Sequence, residues 1–229
     1  MSAKNIIYRR KSTRSYLEKQ IPKEDLMEIV ETAGRAPSWS NSQPWEVFVV
    51  SGDKLNKLRE RWQKEIMAMM SSGNINFDRT DMDFPGYDAW GNAPRSVENM
   101  VKFKKELSSQ VGISEEEQSK LLGEKNSAFL SAPTVVFLGI NKTLGSYSMY
   151  DLGAFQQTLL LAAEDKNIDS CPAGAFAMFG DVLKEELGIP EDVSIATGVA
   201  LGYGDKEYVL NKRESMIRMD LDQYARFID

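Results

Sequence analysis

The sequence predicts an α+β fold in one domain spanning 1–229. Apolar residues recur at helical spacing in several long stretches. Strand-like runs are few and short. The two do not alternate strictly, as they would in a doubly wound sheet. The chain has 229 residues, which suits one well-filled domain. It carries no internal repeat, no low-complexity segment and no linker that would divide it.

Residues 22–36 read as the first helix. Pro22 suits a first helical position, Glu24 and Asp25 complement the N-terminal dipole, and Leu26, Ile29, Val30 and Ala33 share a face. PSWSNSQP (37–44) is turn chemistry, and EVFVVS (46–51) is a strand. Leu55, Leu58, Trp62, Ile66 and Met69 mark a second helix, ended by Gly73. Residues 74–95 have no sustained period, and a long irregular segment of this kind is usually functional or mobile. From 96 to 130 the pattern is helical with a break near Gly112, and Ser114 and Glu117 have capping-box spacing. TVVFLGI (134–140) is a buried strand, 151–166 a helix, 168–171 a short strand, 182–187 a short helix and 193–203 another strand. Residues 204–229 show little periodicity and read as a C-terminal arm.

Composition removes several kinds of chemistry. There is no histidine, so no Ser-His-Asp or Cys-His mechanism and no histidine-ligated metal is available. The 28 basic and 34 acidic residues leave a net charge of −6, which argues against a general nucleic-acid binder. No apolar run is long enough for a membrane span, no secretory signal is read at the start, and the single Cys171 suits a reducing cytoplasm. Asp78, Asp81 and Asp83 lack the pattern of a calcium loop, and no metal site is expected.

Four groups of residues can carry binding. Arg10, Lys11, Ser12 and Arg14 offer guanidinium, ammonium and hydroxyl donors, and Arg10, Ser12 and Arg14 share one side of an extended segment. They suit a phosphate, though the cluster by itself favours a solvated basic terminus. Pro37, Ser38, Trp39 and Asn41 lie in a turn able to bond a polar ring edge, or simply to connect helix and strand. Pro172, Ala173 and Gly174 follow a short strand, where small residues let backbone approach a ligand. Arg213 and Arg218 form a late basic group that could close over an anion held by the early one, though charge alone favours a solvated run.

In this order, RRKSTRSY (9–16), APSWSNSQPWEVFVV (36–50), SAPTVVFLGI (131–140), YDLGAFQQTLLLAA (150–163), SCPAGAFAMFGDVLKEELGIPED (170–192) and VALGYGD (199–205) resemble the FMN-dependent nitroreductase family, in its nitrobenzoate-reductase-like branch. The resemblance implies a sandwich with a central, mostly antiparallel sheet flanked by helices, in an intertwined homodimer with FMN at its interface. It implies that Arg10, Lys11, Ser12 and Arg14 hold the phosphate and part of the ring. Pro37, Ser38, Trp39 and Asn41 reach in from the partner subunit, and Pro172, Ala173 and Gly174 flank the ring. Arg218, or next Arg213, clamps the phosphate. Phe84, Tyr87 and Trp90 are the substrate-stacking candidates, or else a hydrophobic plug.

The implied activity is NADH- or NADPH-dependent reduction of nitroaromatic or similar electron-poor acceptors, by ping-pong hydride transfer through the flavin N5. No side-chain catalyst is then required. A reductive dehalogenase or enone reductase fits the same fold. A non-catalytic FMN-binding carrier is the alternative of another class, and an anion-binding module without flavin is a third.

Overall fold

The computed structural model describes residues 2–73, 77–82, 93–214, 216 and 218–228. Its helices are α1 (Ala3–Arg9), α2 (Lys23–Ala33), α3 (Gly52–Ser72), α4 (Pro94–Val111), α5 (Glu115–Ser127), α6 (Ser146–Asp165), α7 (Gly180–Leu187) and α8 (Leu221–Tyr224). Its strands are β1 (Trp45–Ser51), β2 (Thr134–Asn141), β3 (Asp169–Ala173) and β4 (Val193–Gly202).

The strands form a sheet ordered β1-β2-β4-β3, antiparallel throughout. The β2 run is apolar without interruption because both its faces are covered. Val135 and Phe137 point to a core with Leu55, Leu58, Trp62, Phe129 and Phe176. The alternate Val136, Leu138 and Ile140 point to a second core with Ile29, Ala33, Leu152, Phe155 and Leu159. Helices therefore cover both faces, and the mixed fold and antiparallel sandwich expected from the sequence are present. β3 is an edge strand, where Pro172 costs no interior ladder bond.

Boundaries depart from expectation in interpretable ways. Pro22 lies outside α2 as its N-cap, with ψ 139°, so Lys23 is the first helical residue. α6 begins at Ser146, before the apolar stripe does, since Tyr147 and Tyr150 there are exposed. α1 has no buried residue, so no core-facing stripe marks it. Gly112, at φ 71°, supplies the left-handed cap that divides α4 from α5, and the Ser114 side chain accepts from Glu117 N as the capping spacing predicts. Pro172 and Ala173 belong to β3, and the turn proper is the 3-10 segment Gly174–Ala177.

Among the described residues no helix is long and apolar enough to cross a membrane.

Candidate functional site

After α1 the chain runs extended beside the edge strand. Thr13 N donates to Ser170 O (3.0 Å), Leu17 N to Tyr203 O (2.8 Å) and Asp205 N to Ser15 O (3.0 Å). The Asp169 carboxylate ties this segment to the end of β4, accepting from Thr13 Oγ1 (3.2 Å) and Gly204 N (2.9 Å). The early basic residues are thereby fixed next to the Cys171–Gly174 stretch.

The C-terminal arm returns to the same place. Asn211 is the joint. Its Oδ1 accepts from Arg14 N (2.7 Å), and its Nδ2 donates to Ser15 O and Asp205 O (2.8 Å each). Arg213 Nη2 donates to Ser12 O (2.7 Å), which also accepts from Arg14 Nη1 (3.1 Å). Lys11 meets the arm as well. Its Nζ donates to the carbonyls of Asn211 (3.3 Å) and Arg213 (3.0 Å), fastening the arm.

The result is a crowd of like charges. Arg213 is 4% exposed, and its Nε has no hydrogen-bond partner among the described residues. Burial first, then the Arg14, Arg10 and Arg218 guanidiniums, push Arg213 down to about 10. Burial and Arg218 lower Arg10 as well. Burial pushes the Cys171 thiol up, against the pull of Arg14, Ser12, Arg213 and Arg10. A buried cation with an unused donor, surrounded by other cations, is stabilised by an anion. Arg10, Ser12, Arg14, Arg213 and Arg218 thus converge in one chain, beside Ser170 and Cys171 of the edge strand.

The serine-rich turn does not join them. It sits against the other end of α6, with Trp39 N donating to Asp151 Oδ2 (3.1 Å) and the Trp39 ring 4.8 Å from that of Tyr147. A cleft of about 660 Å³ opens there between Pro37, Ser38, Trp39, Tyr147, Tyr150 and Asp151. Asn41 is exposed on the same turn. Arg9, at the edge of the basic segment, binds Glu164 (2.8 Å) on α6. Asp151 and Glu164 are thirteen residues apart on this helix, about 20 Å at the usual rise.

Phe84, Tyr87 and Trp90 lie outside the described residues. The segment before them is anchored: Asp81 takes Lys184 Nζ (2.6 Å) and Ile195 N (3.0 Å), so its carboxylate is occupied. Asp83 also lies outside the described residues. The sequence offered no local pattern for the roles of Asn211, Asp169 and Asp151, since each acts on backbone far away in the chain.

The antiparallel sandwich thus gathers four arginines at a sheet edge, one of them buried, with the charge to suit an anion. The sequence profile of the nitroreductase family matches residues 7–203, and the chain belongs to that family. Among its relatives, a 4-nitrobenzoate reductase of Nocardioides sp. (strain LMS-CY) is 26% identical, over 97% of this chain and 88% of that one. The nitroreductase NfnB of Mycolicibacterium smegmatis is 29% identical, over 92% of this chain and 86% of the relative. The crystal structure of the FMN-dependent nitroreductase NfnB from Mycobacterium smegmatis in complex with NADPH superposes with a TM-score of 0.82 at 28% identity, covering 99% of this chain and 98% of that one. The FMN- and NADPH-dependent NfnB of Sphigopyxis sp. strain HMH gives 0.83 at 26%, covering both chains fully (100%).

Proposed function

We propose that this chain is an FMN-dependent oxidoreductase that takes electrons from NADH or NADPH and passes them to nitroaromatic or similarly electron-poor acceptors. The observation that carries the reading is Arg213: a buried guanidinium whose Nε has no partner among the described residues, amid Arg10, Arg14 and Arg218, in a chain of this family. A phosphate monoester supplies the charge and the acceptors that this group lacks. FMN when bound supplies the redox chemistry, and the protein supplies position and electrostatics.

Each residue group then has a task. Arg10, Arg213 and Arg218 hold the phosphate, helped by the Ser12 hydroxyl. Arg14 gives the ring positive charge, which favours its reduced form. Pro172, Ala173 and Gly174 border the ring from the sheet edge. Lys11 and Asn211 keep the arm closed over the arginines. Donor and acceptor use one site in turn, so ping-pong kinetics are expected.

The site is shared between two copies of the chain. Pro37, Ser38, Trp39 and Asn41 complete the site built by the other subunit's arginines. The support is geometric: along α6 the turn lies about 20 Å from the basic segment of its own chain. Exposed apolar surface agrees, with Trp39 64%, Tyr147 67%, Tyr150 77% and Phe227 81% exposed, as suits a surface covered by a second copy. The free, buried Cys171 suits a cytoplasmic location.

The deciding experiment is the visible spectrum of the purified protein, followed by anaerobic NADH or NADPH. A yellow protein that bleaches and recovers its colour with a nitroaromatic is expected. A yellow protein that never bleaches with nicotinamide points to a carrier, and turnover of a halophenol alone points to a dehalogenase. For the shared site, an Asn41→Ala chain mixed with an Arg10→Ala chain gives heterodimers with one intact and one doubly damaged site. Two equally impaired sites would contradict it.

A further inference from the structure

We propose that Asp151 is a positioning residue for the flavin site, whose buried carboxylate holds the Ser38–Gln43 turn in the shape that presents Ser38 and Asn41 to the partner subunit's cofactor. The inference rests on the shared-site reading above.

The turn is strained. Ser40, Asn41 and Gln43 all have left-handed backbones, with φ of 52°, 56° and 48°, and none is glycine. Such conformations cost free energy and persist where their surroundings over-determine them. Two hydrogen bonds do so here: Gln43 N donates to Ser38 Oγ (2.9 Å) inside the turn, and Trp39 N donates to Asp151 Oδ2 (3.1 Å). The second is the outside anchor. It comes from α6, whose Leu152 and Phe155 are locked in the core, so the carboxylate has a fixed place.

The choice of residue is itself informative. Asp151 is 4% exposed, beside the equally buried Leu152. Burying a carboxylate is costly, and an apolar side chain would fill the space more stably. A carboxylate gains its advantage here by accepting from the turn's backbone. Because α6 also receives Arg9 on Glu164, one rigid helix spaces the turn from the basic segment of its own chain. In a two-fold dimer that spacing sets how far each turn reaches toward the opposite arginines.

The test measures FMN affinity by flavin fluorescence, beside the melting temperature of the apoprotein. Asp151→Ala is expected to raise the Kd for FMN roughly tenfold, because the freed turn relaxes in the apoprotein, where the strain relieved offsets the bond lost, and must be re-formed on binding. Asp151→Asn keeps an acceptor oxygen and is expected to stay near the wild type. The apoprotein melting temperature should change little in either. A purely structural residue would lower melting temperature and affinity together, and that result overturns the proposal. If Asp151→Ala does not fold, Asp151→Glu replaces it, since one added methylene displaces the carboxylate from its 3.1 Å contact and is expected to weaken FMN binding in the same direction.

Mixed dimers decide which site Asp151 serves. An Asp151→Ala chain paired with an Arg10→Ala, Arg218→Ala chain is expected to bind one FMN tightly per dimer. No tight site means that Asp151 acts on its own chain's arginines, and the proposal fails. The Asn41→Ala mixture separates the two ideas. If it also yields no tight site, the shared-site reading falls; if it yields one while the Asp151→Ala mixture does not, the role of Asp151 falls alone.

Discussion

Arg213 donates to the carbonyl of Ser12 at 2.7 Å, across 201 residues of chain. This bond joins the two ends of the sequence at the sheet edge and sets the spacing of the arginines. Arg213 Nε is buried, with no partner among the described residues. The free protein thus holds repelling charges together, and an anionic ligand relieves them.

Arginine variants should separate ligand affinity from stability. Arg10→Ala and Arg218→Ala are each expected to weaken FMN binding by roughly 1.5–3 kcal/mol, the scale of a charged hydrogen bond. Arg213→Met should weaken it at least tenfold, about 1.4 kcal/mol. The same change removes a buried cation from beside like charges, so the apoprotein should lose little stability. Equilibrium titration and urea denaturation of each variant check both halves. Unchanged affinity in all of them would remove the arginines from the phosphate.

Gly202 tests how closely the chain start packs on β4. A Cβ there would lie 2.7 Å from Pro133 Cδ and 2.8 Å from Tyr16 Cδ1. Tyr16 is buried and its hydroxyl donates to Ala200 O at 3.3 Å, so it has little room to retreat. Gly202→Ala is expected to cost about 1–3 kcal/mol by overpacking. A lower urea midpoint with an unchanged slope is the expected reading.

These contacts also mark how far the sequence is legible. The β2 run is plain because both faces are buried, and α2, α3 and α6 are plain where an apolar stripe meets a core. The start of α6 is not, because exposed Tyr147 and Tyr150 interrupt the stripe. The basic residues of the site were visible as charge, and their family resemblance supplied the expectation that they meet. Asn211 and Asp151 stand out in the sequence too, but the partners through which such residues hold the site do not. Asn211 acts across 197 residues, Thr13 on Asp169 across 156, and Asp151 on Trp39 across 112, and no local spacing encodes such pairs. Lys11 illustrates the converse. Its charge suggested a ligand contact, and nothing in the sequence signals that it also reaches two carbonyls of the arm.

The Arg79–Asp181 pair gives a pH signature outside the site. Partial burial pushes the Asp181 carboxyl up, but Arg79 outweighs it and holds the group below its ordinary 3.8. The pair is fastened at 2.7 Å, and Arg79 reaches Glu65 as well. A depressed acid contributes stability above its unfolded value, lost as pH falls through the folded one. With side chains 38% and 59% exposed, solvent screens the pair, so the contribution is below about 1 kcal/mol. Arg79→Met should flatten the loss of stability below pH 3.8, measured as urea midpoints across the acid range. An acid limb as steep as that of the wild type would show that other carboxyls set it.

Inorganic phosphate should act on the same arginines without any flavin. Arg213 is pushed down to about 10 and so remains a cation at neutral pH. Its repulsion by Arg14, Arg10 and Arg218 persists in the apoprotein unless an anion enters. Phosphate at ten times its own Kd should therefore stabilise the apoprotein by about 1.4 kcal/mol, through binding to the folded state alone. Chloride at equal ionic strength only screens the charges and should raise the melting temperature less. Arg213→Met should shrink the difference between the two salts, because the buried donor is gone. Equal shifts in both salts would mean that the cluster offers screening rather than a site. A difference that survives in Arg213→Met would place the phosphate on Arg10 and Arg218 without help from the buried guanidinium.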